Sequence, residues 1–374
     1  MSEPEPVTGI LEIHDKGYGF LRFPGGAATP TTNDIFVPPD MIRRNGLRDG
    51  VELTGKSASN GRGPQMVELE AVNGGSIGAY LETLPFEDLT AHSPKRWIKL
   101  EMEGDKANMS TRILDLLTPV GHGQRALIVA PPRSGKTMLM QAIADAVLTN
   151  HPKTVLMVVL IDERPEEVTD FRQFLAGRGE IWSSSNDQEP ASHTRLARLV
   201  AERAKRLVEA GQDVFMVLDS ITRVARAFNN ATTGGGRIQS GGIMERALEV
   251  PRQIFACARD TEEAGALTIV ATALIDTGSK ADEAIYQEFK GTGNCEIVLD
   301  RRMADSRVFP AINIEKSGTR REELLLPEEY LEKVTIVRRG LAGQTPMISM
   351  ERLLMILHRW KTNEEAVREL PSMA

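Results

Sequence analysis

The stretch Ala130-Pro131-Pro132-Arg133-Ser134-Gly135-Lys136-Thr137 constrains the fold more than any other part of the chain. It follows the apolar run 126–130 and opens a helix-type sequence. A loop between a buried strand and a helix start turns free backbone N–H groups and the positive end of the helix dipole toward an anion. In such a loop a lysine neutralises β/γ-phosphate charge and a neighbouring hydroxyl ligates magnesium. Arg133, Ser134, Gly135, Lys136 and Thr137 are therefore expected to hold ATP, with Mg2+ on Thr137. Ala130 replaces the first glycine of the usual pattern, so the reading rests on the strand before and the helix after.

Apolar runs at 126–130, 154–161, 214–219, 267–274 and 296–300 alternate with amphipathic stretches such as 192–210. Continuous apolar strands between helices predict an α/β domain with a parallel sheet covered on both faces. Two acids at or just beyond the ends of these runs stand out. Asp219 closes the third and is expected at the carboxyl edge of the sheet as a second magnesium-site residue. Glu163 follows the second and is expected to be the base that orients and deprotonates the attacking water. A lone acid at a strand end is most often only solvated; three such features ending strands of one domain outweigh that reading.

The first 72 residues read differently, as five short strands broken by turns within 7–72, which predicts a small all-β barrel. A connector is expected over 73–115, and the α/β domain with C-terminal helices over 116–374. Lys16-Gly17-Tyr18-Gly19-Phe20-Leu21-Arg22 and Asp34-Ile35-Phe36-Val37 resemble the aromatic strand motifs of OB and cold-shock barrels. Alternation places Tyr18 and Phe20 on one face, so that with Phe36 they form a platform for stacked bases, flanked by the cation Arg22. The alternative is that these rings fill the barrel core. The formal net charge is −7, and residues 1–80 hold more acids than bases, so binding to single-stranded RNA must rest on stacking and local cations. Cys257 and Cys295 stand alone without metal-ligand spacing and read as small buried hydrophobes. No apolar run of membrane length and no secretory start is present, which predicts a cytoplasmic protein without membrane contact.

Longer strings carry a specific resemblance. Leu160-Ile161-Asp162-Glu163-Arg164-Pro165-Glu166-Glu167-Val168, Asp219-Ser220-Ile221-Thr222-Arg223, Phe289-Lys290-Gly291-Thr292-Gly293-Asn294 and Ser317-Gly318-Thr319-Arg320-Arg321-Glu322-Glu323 resemble the Rho transcription termination family. The resemblance implies a RecA-like fold, a homohexameric ring with ATP between subunits, and 5'-to-3' movement along nascent RNA that releases it from RNA polymerase, with elongation factors as further partners. It implies that Arg320 is an arginine finger with Arg307 as its companion, that Phe309 stacks adenine near Met138, and that Arg164 belongs to the nucleotide site. It also implies two pore loops that grip RNA, one through Arg237 in the glycine-rich stretch 234–242 and one through Lys280.

The chain departs from that family in three places. The barrel begins almost at once, so the helical segment often found ahead of it is expected to be missing or rudimentary. Arg133 and Ser134 stand where Lys and Ala are expected, and His193-Thr194 where an Arg-His pair is expected. A related ring that moves protein or protons has no use for an aromatic platform, and a non-enzymatic RNA-binding module would be expected to lack Lys136, Glu163 or Asp219. All three are present.

Overall fold

The computed structural model describes residues 3–25, 31, 33–59, 61, 63–104, 107–232 and 240–369. Strands Glu5–Ile13, Gly19–Arg22, Phe36–Val37, Pro64–Val72 and Glu52–Ser59 close, in that order, into a five-stranded barrel. Leu11, Leu21, Val37, Leu53 and Met66 fill it and are almost fully excluded from water. These are the inward positions of a period-two pattern, so the pleat that points them inward sets the alternate side chains on the outer surface.

The second domain is an α/β sheet in the order Glu180–Ser185, Val155–Glu163, Val214–Asp219, Ala266–Leu274, Arg125–Ala130, Cys295–Val298 and Gly318–Thr319. The first six of these are mutually parallel and the last is antiparallel. One apolar cluster lies on each face of the sheet, which is why its central strands read as unbroken apolar runs. Parallel strands deliver all their carboxyl ends to one edge, and that edge receives the phosphate loop, Glu163 and Asp219.

Several elements carry little sequence signal. Glu180–Ser185 at the sheet edge reads EIWSSS, and its serines hide the strand. Strand Ala91–His92 pairs with Arg259–Thr261, which itself pairs with Ala266–Leu274. Helix Met109–Leu117 is almost wholly buried and runs across position 116. The expected C-terminal helices are Glu328–Leu341, Pro346–Leu357 and Asn363–Glu369.

Candidate functional site

Gly135, at φ +88°, caps helix Lys136–Asn150 in a left-handed conformation that glycine adopts without steric cost. A Cβ there would lie 3.3 Å from the Phe309 ring, so the loop and that aromatic are in close contact. Phe309 and Met138 are both exposed beside the loop, at 39% and 66%. Ser134 is buried and its hydroxyl donates to the Pro131 carbonyl at 2.7 Å, closing the loop on itself. Arg133 is exposed at φ +63°, Thr137 is half-buried, and Arg164 is exposed just ahead of helix Pro165–Leu175.

Lys136 Nζ donates to both Asp219 oxygens at 2.6 Å and approaches Glu163 Oε1 at 3.5 Å. The strand carrying Asp219 does not neighbour the phosphate-loop strand. Ala266–Leu274 lies between them, and from it Thr272 Oγ1 donates to Asp219 Oδ1 at 2.6 Å. Asp162 takes the left-handed conformation at φ +57°, where the strand register slips, and Glu163 ends with 2% of its side chain exposed. Arg223, one turn into the helix after Asp219, holds Glu163 at 3.1 Å and Asp162 at 3.3 Å. Burial and the nearby Asp219 charge push the Glu163 carboxyl up to about 7, against the pull of Lys136 and Arg223. Lys136 is held above its ordinary range: burial alone would lower it, but Asp219 and Glu163 outweigh burial.

Arg320 lies elsewhere. It follows strand Gly318–Thr319, whose Thr319 pairs with Cys295, which in turn pairs with Ala126 near the start of the phosphate-loop strand. That is the amino edge of the sheet, about 13 Å along the strand from the loop that follows Ala130, and roughly five strand spacings of ~4.8 Å from Glu163. Arg320 is exposed, and among the described residues its guanidinium has no partner. Arg307, exposed at φ +62°, precedes Phe309 by two residues and so belongs to the loop backing the chain's own phosphate site. Within one chain the two arginines therefore stand at different edges.

On the barrel, Tyr18, Phe20 and Phe36 are each half-buried, with ring centroids 5.6–5.8 Å apart. They lie outside the core cluster. His14, which sequence reasoning passed over, stacks flat on Tyr18 at 4.7 Å. Arg22 differs from its expected place as an RNA contact. It is 7% exposed, donates to Glu12 at 2.5 Å and pairs with Asp34 under the Phe20 ring, so its charge is already neutralised inside the protein. Arg237 lies outside the described residues. Lys280 is exposed at the first turn of helix Lys280–Thr292, with Ser279 as cap. The backbone of Gly241 packs on Ala281, where a Cβ would come within 2.5 Å of its nitrogen, so the described end of the glycine-rich stretch adjoins Lys280.

Arg223, Thr272 and Asp162 also escaped sequence reasoning as members of the site. Thr272 had a usable signal: a hydroxyl inside a fully buried strand needs a polar partner. Arg223 sits within a quoted string but gained no role from it. Asp162 is placed by a backbone turn that residue type does not announce.

Residues 7–77 match the Rho termination factor RNA-binding domain, and residues 110–319 match the nucleotide-binding domain of the ATP synthase alpha/beta family. Transcription termination factor Rho of Aquifex aeolicus is 47% identical over 369 residues, covering 97% of this chain and 84% of the relative. The chain belongs to the Rho family of transcription termination factors. The Chromobacterium violaceum member is also 47% identical, covering 95% of this chain and 86% of its own, whereas the Mycobacterium leprae member, 45% identical, is covered to 60%. Among solved structures, a type III secretion ATPase of pathogenic bacteria superposes with TM-score 0.64 at 21% identity, covering 77% of this chain and 88% of its own. The assembled ATPase EscN of enteropathogenic E. coli gives 0.63 at 20% identity, covering 82% and 77%. At those identities the likeness is one of fold. The barrel is an RNA-binding domain of the Rho type and the α/β domain is that of an ATP-hydrolysing enzyme. Among the described residues no helix is long and apolar enough to cross a membrane.

Proposed function

We propose that the chain is a cytoplasmic, RNA-dependent ATP motor that ends transcription by moving 5'-to-3' along a nascent transcript in a homohexameric ring and freeing it from RNA polymerase. The observation that carries this reading is the split site: Lys136, Asp219 and Glu163 converge at one sheet edge while Arg320 stands exposed at the other. A guanidinium so placed serves a neighbour's nucleotide, and hydrolysis then depends on the ring. ATP lies across the phosphate loop, with adenine between Phe309 and Met138 and Arg133, Arg164 and Arg307 at its borders. The organisation follows as barrel 7–72, a connector that begins at 73, and a motor that takes in the buried helix Met109–Leu117 and runs on to 374.

Lys136 and Arg223 are already paired with Asp219, Glu163 and Asp162, so their charge alone does not balance a triphosphate. The Thr137 hydroxyl and the Asp219 carboxylate are hard oxygen donors suited to Mg2+, an ion that needs few protein ligands. Bound there, Mg2+ would neutralise phosphate charge. Glu163, held by Arg223 and Lys136 in a dry setting, accepts a proton from the attacking water, and Arg320 of a neighbouring copy meets the charge developing on the γ-phosphate. Motion leaves the site by two short routes. Helix Ile221–Ala231 starts at Ser220, directly after Asp219, and leads to the glycine-rich stretch; Leu274 N, bonded to Thr222 Oγ1 at 3.0 Å, leads to the Lys280 loop. Arg226 and Thr277 both bind Asp282, at 2.5 and 2.6 Å, and tie the two routes together. Displacement of these loops moves the RNA.

Lys280→Ala is expected to lower the stimulation of ATP turnover by RNA severalfold while leaving ATP affinity within twofold; unchanged stimulation in a titration with single-stranded RNA would remove Lys280 from the pore. Tyr18→Ala combined with Phe20→Ala should weaken RNA binding at least tenfold, since a stacked base contributes about 1–3 kcal/mol. Because both rings are half-buried, the melting temperature should barely change. A large drop in it with RNA affinity retained would return the rings to the core.

A further inference from the structure

Helix Pro190–Glu209 is the part of the motor domain against which the barrel is held by ion pairs. Glu209 pairs with Arg48 at 2.6 Å and Arg203 with Glu52 at 3.0 Å. Those two partners lie on strand Glu52–Ser59 and the turn before it, which carry none of the three stacking rings. The third pair is different. Arg195, near the amino end of the helix, forms an ion pair from Nε to Glu12 Oε1 at 3.1 Å, while Glu12 Oε2 accepts from Arg22 at 2.5 Å. Arg22 also pairs with Asp34, two residues before Phe36, and lies 5.5 Å from the Phe20 ring centroid.

Asp34, Arg22, Glu12 and Arg195 thus alternate in sign from the ring platform to the motor domain. The first three side chains are 8–14% exposed, so salt screens their coupling little. Two residues before Arg195, His193 Nδ1 is 2.7 Å from Ser184 Oγ, and its Nε2 is 3.9 Å from Asp162, the neighbour of Glu163 in sequence. One turn of helix therefore touches both the clamp beneath the platform and the end of the catalytic strand.

We propose that Arg195 is a positioning residue that couples base stacking on the platform to the catalytic strand, acting through Glu12. A base settling on Phe20 shifts Arg22, Glu12 follows, and Arg195 carries the change into the first turn of the helix. Arg195 touches neither RNA nor nucleotide. Such coupling is reciprocal in binding free energy, so nucleotide at the motor site also alters affinity at the platform. The inference rests on the RNA-dependent ATPase reading above.

The test is steady-state ATP hydrolysis by the full chain, without RNA and with saturating pyrimidine-rich RNA, alongside RNA affinity by fluorescence anisotropy. In Arg195→Ala, stimulation is expected to fall at least fivefold, with RNA-free turnover and RNA affinity each within twofold of the unmodified chain. Glu12→Gln, which keeps the shape of the side chain, should lose as much, and the double variant no more than either single one. The proposal is overturned if Arg195→Ala responds fully to RNA, if the two losses multiply, or if RNA-free turnover falls in parallel, which marks a merely structural contact. Absence of any RNA response in the unmodified chain would overturn the parent reading, and this one with it.

Discussion

Replacing Arg320 by alanine is expected to lower ATP turnover by about 10³- to 10⁵-fold, the range supplied by an arginine finger, while each chain still binds ATP. Arg320 stands at the amino edge of the sheet, and its own phosphate loop and Glu163 stand at the carboxyl edge. Loss of the finger should therefore leave every chain's own phosphate contacts intact and remove only what a neighbour delivers. If Arg320 instead served its own nucleotide, dilution into separate subunits would leave turnover per chain unchanged.

Glu163→Gln is expected to reduce turnover about 10²- to 10⁴-fold, the usual share of a general base, again with ATP binding retained. Because burial and Asp219 push the Glu163 carboxyl up to about 7, the base is protonated and idle below that pH. Turnover in the unmodified chain should rise as pH increases through about 7, and the glutamine variant should lack that limb. Near-normal turnover in Glu163→Gln, or a pH profile shared by both proteins, would take the base role from this residue. The two variants also test each other. A ring mixed from Arg320→Ala and Glu163→Gln chains contains seams in which an intact Glu163 faces an intact Arg320, so mixing two nearly inactive proteins should restore measurable turnover. No restoration would place both residues in the same half of the site.

How far the sequence foretold this arrangement varies with how local the cause is. The phosphate loop was legible because backbone geometry, cation and hydroxyl are contiguous from Ser134 to Thr137, and the apolar runs on either side reveal the strand and the helix. The barrel was legible for the same reason, since alternation in Gly19–Arg22 is a property of neighbouring residues. Edge strand Glu180–Ser185 was not, because its serines contradict the apolar rule that holds for central strands. Arg22 shows the limit most clearly. A cation beside aromatic residues reads as a phosphate contact, yet whether it faces water depends on Glu12 and Asp34, brought to it by pairing between strands. The arginine finger is a further step removed: Arg320 is conspicuous only through the resemblance, and its separation from Glu163 emerges only from the strand order.

The most direct test of the whole account is steady-state ATP hydrolysis by the purified protein with no nucleic acid, with pyrimidine-rich single-stranded RNA, and with DNA of the same sequence. The account predicts slow turnover alone and with DNA, and strong acceleration with RNA. Equal turnover in all three conditions would contradict it.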